Sequence, residues 1–214
     1  MREFLQGRIN LVKSLIDSSL SVHYADLVLI TCAVLSACAS RRWPRRLPGQ
    51  NIDRRSFIEL LAMHSQDDFR TSWVSVPSLL NDNLISETQT PYGNPGNASR
   101  IYIDNEIDLS LGDAIRKYPQ VSSSDLRRHC YASLIYERLR CGYSHEYCPH
   151  ESITHVPASR KNARISYIGR LSDKTIKRMI SFHLNYLITL AEYHVSNLPS
   201  SPSTYPSPWW IDEK

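Results

Sequence analysis

Side chains able to cleave a phosphodiester bond stand close together in one short segment of the sequence. His145 is preceded by Arg140, with four residues between them, and by Arg138, with six. A histidine moves protons near neutral pH, and the fork of an arginine matches phosphate oxygens while keeping its charge. RNA supplies its own nucleophile, the 2′-hydroxyl group. These side chains could therefore cleave RNA with no metal ion and no other cofactor, although an arginine and a histidine at such a spacing also occur in unrelated proteins.

Helix geometry decides which arginine can meet His145. On a straight helix Arg140 and His145 point about 140° apart, whereas Arg138 and His145 point within about 20° of each other. Gly142 lies between Arg140 and His145, and glycine allows a helix to loosen or to end. We expect the helix to loosen near Gly142 so that Arg140 meets His145, with Arg138 as the second candidate.

The stretch from Leu139 to Glu146, Leu-Arg-Cys-Gly-Tyr-Ser-His-Glu, resembles the HEPN superfamily. That family is marked by an arginine, a short spacer and a histidine at the end of a helix, in a small helical domain. The resemblance implies a metal-independent endoribonuclease, acting as a defence or toxin effector, that leaves a 2′,3′-cyclic phosphate and a 5′-hydroxyl. It implies that Arg140 holds the phosphate, that His145 moves protons and that Arg138 supports them.

The resemblance also implies partners. Family members pair so that two Arg–His sets face each other across a twofold axis, which makes a homodimer part of the mechanism. Cys141 and Glu146 are then expected to line the site. Tyr147, two positions after His145, matches HEPN toxins whose tyrosine is adenylylated by a nucleotidyltransferase antitoxin. Because AMP beside His145 would block phosphate entry, an antitoxin or another defence-system protein is an expected partner.

Other interpretations of the segment remain open. Many catalytic family members carry Asn, Asp or His directly after the arginine, whereas this chain has Cys141, and a thiol bonds weakly. The alternative is a non-catalytic HEPN module that binds RNA or nucleotides, or serves as a scaffold. Taken singly, Arg140 is also consistent with a solvated helix end, His145 with a structural histidine and Tyr147 with a packed surface residue. The motif would then be a coincidence in a structural helical protein.

A basic stretch follows the segment and predicts contacts to the RNA backbone. Residues 158–178 hold seven lysines and arginines and one acid. The net charge of the whole chain is +4, which permits an anionic partner without requiring one. The residues expected to hold the strand are Arg160, Lys161, Arg164 and Arg170.

Hydrophobic periodicity predicts a mainly α protein, an HEPN-like up-and-down helical bundle with a small β-hairpin insertion. The domain is expected to span residues 1–198, with the hairpin at about 152–169, formed by Ile153 to Val156 and Ile165 to Ile168. Residues 199–214 are rich in Pro and Ser and predict a tail that cannot pack alone, although Trp209 and Trp210 are able to dock. The predicted helices cover residues 3–20, 24–41, 54–65, 125–141 and 173–197, the last capped by Ser172.

The composition of the chain limits which class of protein it can be. The 214 residues suit one domain, and five cysteines, an odd number, favour reduced thiols over a secreted disulfide framework. The apolar run from Ala25 to Ala39 is too short for a membrane span, and the first residues lack a signal-peptide pattern. We therefore expect a cytoplasmic protein with no membrane partner. The spacing of Cys141, Cys148, His150 and His155 does not match a zinc site, so no metal is expected.

Overall fold

A central apolar helix organises the fold. In the computed structural model, α2 (Tyr24–Arg42) packs against α1 (Arg2–Asp17), α3 (Asp53–His64) and α10 (Leu184–Ser196). Val28 and Leu35 on α2 are fully buried, as the apolar sequence of this helix predicts. By length and composition α2 would also pass for a membrane span, but it packs here as the core helix of a globular protein. The structure describes residues 1–18, 23–44, 46–47, 50–86, 99–148, 150–154, 163–172 and 175–213.

Shorter helices and two small β-structures complete the described residues. The short helices are α4 (Val76–Asn81), α5 (Asp104–Ile107), α6 (Leu111–Lys117), α7 (Ser123–Arg128), α8 (Tyr131–Leu134) and α9 (Cys141–Glu146). A π-helical segment, Ile135–Arg140, joins α8 to α9, and 3-10 turns cover Asp67–Phe69 and Trp210–Asp212. Strands β1 (Arg46–Leu47) and β2 (Gln50–Asn51) form an antiparallel ribbon. The other sheet has the antiparallel order β3 (Tyr102–Ile103), β4 (Ile165–Ser172), β5 (Thr175–Phe182).

The predicted boundaries around this sheet are wrong. The hairpin joins β4 to β5, so Ile165–Ile168 pairs with residues 179–182 and not with the segment at Ile153. His155 and Val156 of the predicted hairpin lie outside the described residues. Residues 175–182 are a strand where a helix over 173–197 was expected. Ile176 and Ile180 are four residues apart, which fits one face of a helix, and an even number apart, which fits one face of a strand equally well. Ile153 lies beside the hairpin instead, in a parallel bridge to Ile180.

The predicted helix 125–141 is also interrupted. Ser122 caps its start by accepting a hydrogen bond from the Asp125 amide at 3.0 Å. The backbone becomes extended at Cys130, because this stretch pairs with the buried segment around Val74. The Tyr131 amide donates to the Trp73 carbonyl at 3.0 Å, so the buried backbone groups of both segments are satisfied outside a helix.

The C-terminal residues pack against the helices. Trp209 is 5% exposed and meets the Trp43 ring edge-on, with the ring centroids 5.6 Å apart. The Trp210 amide donates to the Glu59 carboxylate at 2.7 Å, and the Arg127 side chain donates to the Trp210 carbonyl at 2.8 Å. The described end of the chain is therefore part of the core that covers α3.

A buried polar cluster connects the sheet to the helices. The Asp108 carboxylate accepts hydrogen bonds from the hydroxyls of Tyr131 and Tyr167 and from the Val76 amide. The Tyr167 hydroxyl also lies 2.9 Å from the Ser75 hydroxyl oxygen. Burial raises the pKa of Asp108 to about 7, against the lowering effect of these donors.

Candidate functional site

The residues predicted to do chemistry lie on one continuous helical stretch made of the π-helical segment and α9. Such π-helical turns occur often at functional sites, and this one ends at Arg140. The backbone stays helical through Gly142 and Ser144 as far as Glu146. The expectation that the helix loosens at Gly142 is therefore wrong, since the irregular turn lies before Arg140.

Arg140 is anchored against α2. Its Nε atom donates to the Ser36 hydroxyl at 3.2 Å, and its guanidinium carbon lies 4.9 Å from the centroid of the Tyr136 ring. Nη1 lies 3.9 Å from the Cys141 sulfur. An arginine has five N–H donors, so within the described chain three remain without a partner. The side chain borders a small recess lined by Ser36, Ala39, Ser40, Asp53, Ser56 and Phe57.

His145 is exposed on the last turn of α9. Within the described residues its ring makes no side-chain hydrogen bond or ion pair. Arg140 and Cys141 have helical backbone angles, so Arg140 and His145 are five helical steps apart and their side chains point about 140° apart. A single chain therefore holds the guanidinium against α2 while the imidazole faces solvent.

Tyr147 ends the helix and is 56% exposed. Its backbone adopts the left-handed conformation with φ 50°, which a residue other than glycine rarely adopts. The Tyr147 hydroxyl donates to the carboxylate of Asp26 at the start of α2. That hydrogen bond raises the pKa of Tyr147, because a deprotonated hydroxyl would lose it and face a negative charge.

The other predicted lining residues differ in exposure. Cys141 is half-buried beside Arg140, and Glu146 is exposed next to His145. Cys32 on α2 lies under this helix; burial raises its pKa to about 12, while the positive charge of Arg140 acts in the opposite direction. A thiol held in this state is not an activated nucleophile.

Arg138 belongs to a different set of contacts. Its guanidinium donates to the Asp82 carboxylate at 2.6 Å and to the Ser152 hydroxyl at 3.1 Å. Asp82 also lies 2.9 Å from the Nε2 atom of His129. Although burial raises the pKa of Asp82, the hydrogen bond from His129 and the charge of Arg138 hold it below its usual value. Arg138 is therefore tied to α4 and the segment around Ser152.

The residues predicted to bind RNA are separated by the fold. Arg164 lies before β4 and is 3.6 Å from the buried carboxylate of Asp104. Arg170 lies near the other end of β4, about 20 Å farther along an extended strand, and is exposed. Arg160 and Lys161 lie outside the described residues.

Comparisons of the chain with protein-family models, with curated proteins and with solved structures found no match. In the described part of the chain, no group of three or more His, Cys, Asp or Glu side chains is placed to hold a metal ion. The candidate site therefore stands on the geometry of its own residues.

Sequence reasoning missed the residues that hold the predicted ones in place. Ser36 contacts Arg140 across 104 positions, and Asp26 contacts Tyr147 across 121. Both lie on α2, which the sequence shows only as an apolar core helix. No local spacing indicates which polar residue on that helix faces α9.

Proposed function

We propose that this protein is a cytoplasmic, metal-independent endoribonuclease of the HEPN type that acts as a defence or toxin effector. One observation carries the proposal: a single helix end presents an anchored guanidinium, Arg140, and an exposed imidazole, His145, that has no polar partner among the described residues. These are the two groups that cleavage through a 2′-hydroxyl requires.

The chemistry uses only side chains and the substrate. His145 takes the proton of the 2′-hydroxyl, and the 2′-oxygen attacks the adjacent phosphorus. The bond between phosphorus and the 5′-oxygen breaks, and that oxygen leaves with the electron pair and takes a proton from an imidazolium or from water. The products are a 2′,3′-cyclic phosphate and a 5′-hydroxyl. The remaining N–H groups of Arg140 neutralise the charge that grows on the non-bridging oxygens.

The proposed site is composite. Because Arg140 and His145 of one chain point about 140° apart, they do not approach one phosphate from the same helix. A twofold axis beside α9 would bring Arg140 of one copy and His145 of a second copy to the same phosphate. Dimerisation is then required for cleavage, and the isolated chain is inactive.

A non-catalytic HEPN module is the second candidate. Cys141 favours it, since the thiol is half-buried against the guanidinium and offers RNA only a weak hydrogen bond. In that case the helix end binds RNA or nucleotides, and the exposed Tyr147 is the point of control by adenylylation. The intact mass of protein made with a nucleotidyltransferase partner tests this control. An added AMP that disappears in Tyr147→Phe supports it, and an unchanged mass contradicts it.

A digestion assay separates the two candidates. A 5′-labelled single-stranded RNA is incubated with purified protein in EDTA, and the ends of the products are identified. The ribonuclease proposal predicts cleavage with 2′,3′-cyclic phosphate ends, and none when the same oligonucleotide carries 2′-O-methyl groups. RNA that remains intact on incubation with a verified dimer would favour the non-catalytic module.

A further inference from the structure

A polar cleft lies beside strand β5, on the side where α4 and the segment around Ser152 meet the hairpin. It is separate from the recess beside Arg140, but Arg138, on the same π-helical segment as Arg140, contacts Asp82 and Ser152 in the cleft. The described residues that line the cleft are Asn81, Asp82, His150, Glu151, Ser152, Arg170, Lys177, Arg178 and Met179.

Hydrogen bonds hold the two walls of the cleft in place. The Asn81 amide group donates to the Arg178 carbonyl at 2.8 Å and accepts from the Arg178 amide at 3.1 Å, so it pairs with the strand as a backbone would. On the opposite side, the Ser152 carbonyl accepts from the Ile180 amide at 2.8 Å. These bonds fix the position of both walls before any ligand arrives.

Two cations share one face of the hairpin at this cleft. Arg170 and Lys177 are directly opposite each other in the β4–β5 register, and both are exposed. Neither forms an ion pair with any residue that the structure describes. Like charges directly opposite each other destabilise an antiparallel pair, so the arrangement lacks a structural benefit. A bound anion would remove the repulsion.

The acids in the cleft do not cancel this charge. Asp82 is already paired with Arg138 at 2.6 Å and contacts His129 at 2.9 Å. Glu151 is the remaining carboxylate among the described lining residues, and it is exposed. With Arg138 counted, three cationic side chains face two carboxylates in the cleft. Arg178 contributes its backbone, since its guanidinium is buried and donates to the Arg100 carbonyl at 3.0 Å.

His150 adds a directed donor. Its Nδ1 atom accepts from the Ser152 amide at 3.2 Å and lies 2.8 Å from the Ser152 hydroxyl oxygen. Since a backbone amide can only donate, Nδ1 is the acceptor and the ring proton is on Nε2. The Nε2–H group has no partner within the described chain and is free to donate to a phosphate oxygen.

We infer that this cleft binds a backbone phosphate of single-stranded RNA and holds the strand beside the cleavage site. The inference rests on the proposed function for the identity of the strand. Arg170 supplies a planar fork, Lys177 a mobile charge and His150 a neutral donor, a set that matches the oxygens of a phosphodiester. The His150 amide donates to the Arg138 carbonyl at 3.2 Å, so the cleft begins at the π-helical segment that carries Arg140.

Binding of a non-cleavable strand tests the inference independently of catalysis. The probe is a fluorescent single-stranded 2′-O-methyl oligonucleotide, titrated with the full chain at several salt concentrations. We expect the double variant Arg170→Gln, Lys177→Gln to bind at least tenfold more weakly. Because each phosphate contact on a single strand contributes about 0.7 to the slope of log affinity against log salt, the slope should fall by about 1.4.

A matched variant controls for net charge. Arg8→Gln, Arg116→Gln removes the same two charges from α1 and α6, where the Arg116 side chain is 76% exposed, and should change affinity less than twofold. Equal affinity and slope in wild type and the cleft variant would overturn the inference. The inference would also be overturned if the cleft variant no longer bound inorganic phosphate but bound the oligonucleotide as tightly as wild type. Cleft-dependent binding by a protein that cuts no RNA would refute the proposed function and leave the inference standing.

Discussion

Two polar regions of the molecule differ in how far their hydrogen-bonding groups are paired. Around Asp108, tyrosine and serine hydroxyls and a backbone amide surround a buried carboxylate, and all of them are hydrogen-bonded. At the end of α9, His145 is exposed and Arg140 keeps donors free, and neither the imidazole nor these donors meet a partner in the part of the chain that the structure describes. A buried polar group that is fully paired specifies and stabilises the fold, whereas unpaired groups at a surface are available to a ligand. The first region is therefore expected to govern stability and the second activity.

The largest expected effect is on cleavage and lies in the second region. His145→Ala should lower the rate of RNA cleavage by about 10²- to 10⁴-fold, since it removes the group proposed to move protons. Because the side chain is exposed, the free energy of unfolding should change by no more than about 0.5 kcal/mol. Ser144→Ala, on the neighbouring exposed position, should leave both quantities unchanged. Loss of cleavage accompanied by unfolding would assign His145 to the fold instead.

The next effect is on stability and lies in the interior. Trp209→Ala should lower the free energy of unfolding by about 3–5 kcal/mol, because the ring is buried against Trp43 and its removal leaves a cavity. Urea denaturation measures this change. Leu171→Ala, at a position 64% exposed, should cost no more than about 0.5 kcal/mol. A loss below about 1 kcal/mol for Trp209→Ala would mean that the C-terminal residues do not belong to the core.

Per pH unit, the smallest expected effect is a pH dependence of stability from Asp108. The folded chain keeps the Asp108 proton up to a pKa of about 7, whereas the unfolded chain releases it near the ordinary pKa of about 3.9. The folded state therefore binds more protons between these values, and raising the pH through this window destabilises it by up to about 1.4 kcal/mol per pH unit.

Asp108→Asn removes this proton, so the difference in unfolding free energy between wild type and variant isolates the effect. The comparison with the variant is needed because His194 gives stability the opposite pH dependence. Burial lowers the pKa of His194 to about 3, so its contribution to stability is lost as the pH falls below about 6.5. We expect the difference to shrink as the pH rises from about 4 to about 7 and to stay constant above. A difference independent of pH would show that Asp108 is ionised throughout.

The helical core was predictable because its signal is local. The spacing of Leu5, Ile9, Val12 and Ile16 predicts one buried face of α1; the first three are buried, whereas Ile16 near the end of the helix is 42% exposed. The α2 helix is the central helix that its apolar composition indicates. The hairpin was misplaced because Ile176 and Ile180 satisfy the periods of a helix and of a strand at once. Pairing with a neighbouring strand decides between the two, and that pairing is not a local property.

The candidate site, like the fold, was predictable only where its signal is local. The types and spacing of Arg140, His145 and Tyr147 are visible in the sequence, and so is the basic character of the chain around Arg170. Their environment is not. The contact between Arg140 and Ser36 joins two helices that are far apart in the sequence. Whether an arginine is free or tied, as Arg138 is to Asp82, depends on such contacts.

Mixing two inactive variants tests the composite site most directly. In a dimer of Arg140→Ala with His145→Ala, one of the two sites regains an intact arginine and an intact histidine from different copies. After equal amounts exchange subunits, half of the dimers are mixed, and we expect cleavage at about a quarter of the wild-type rate. Each variant alone should be inactive. A mixture that cuts no RNA, although native mass spectrometry shows mixed dimers, would rule out a site shared between two copies.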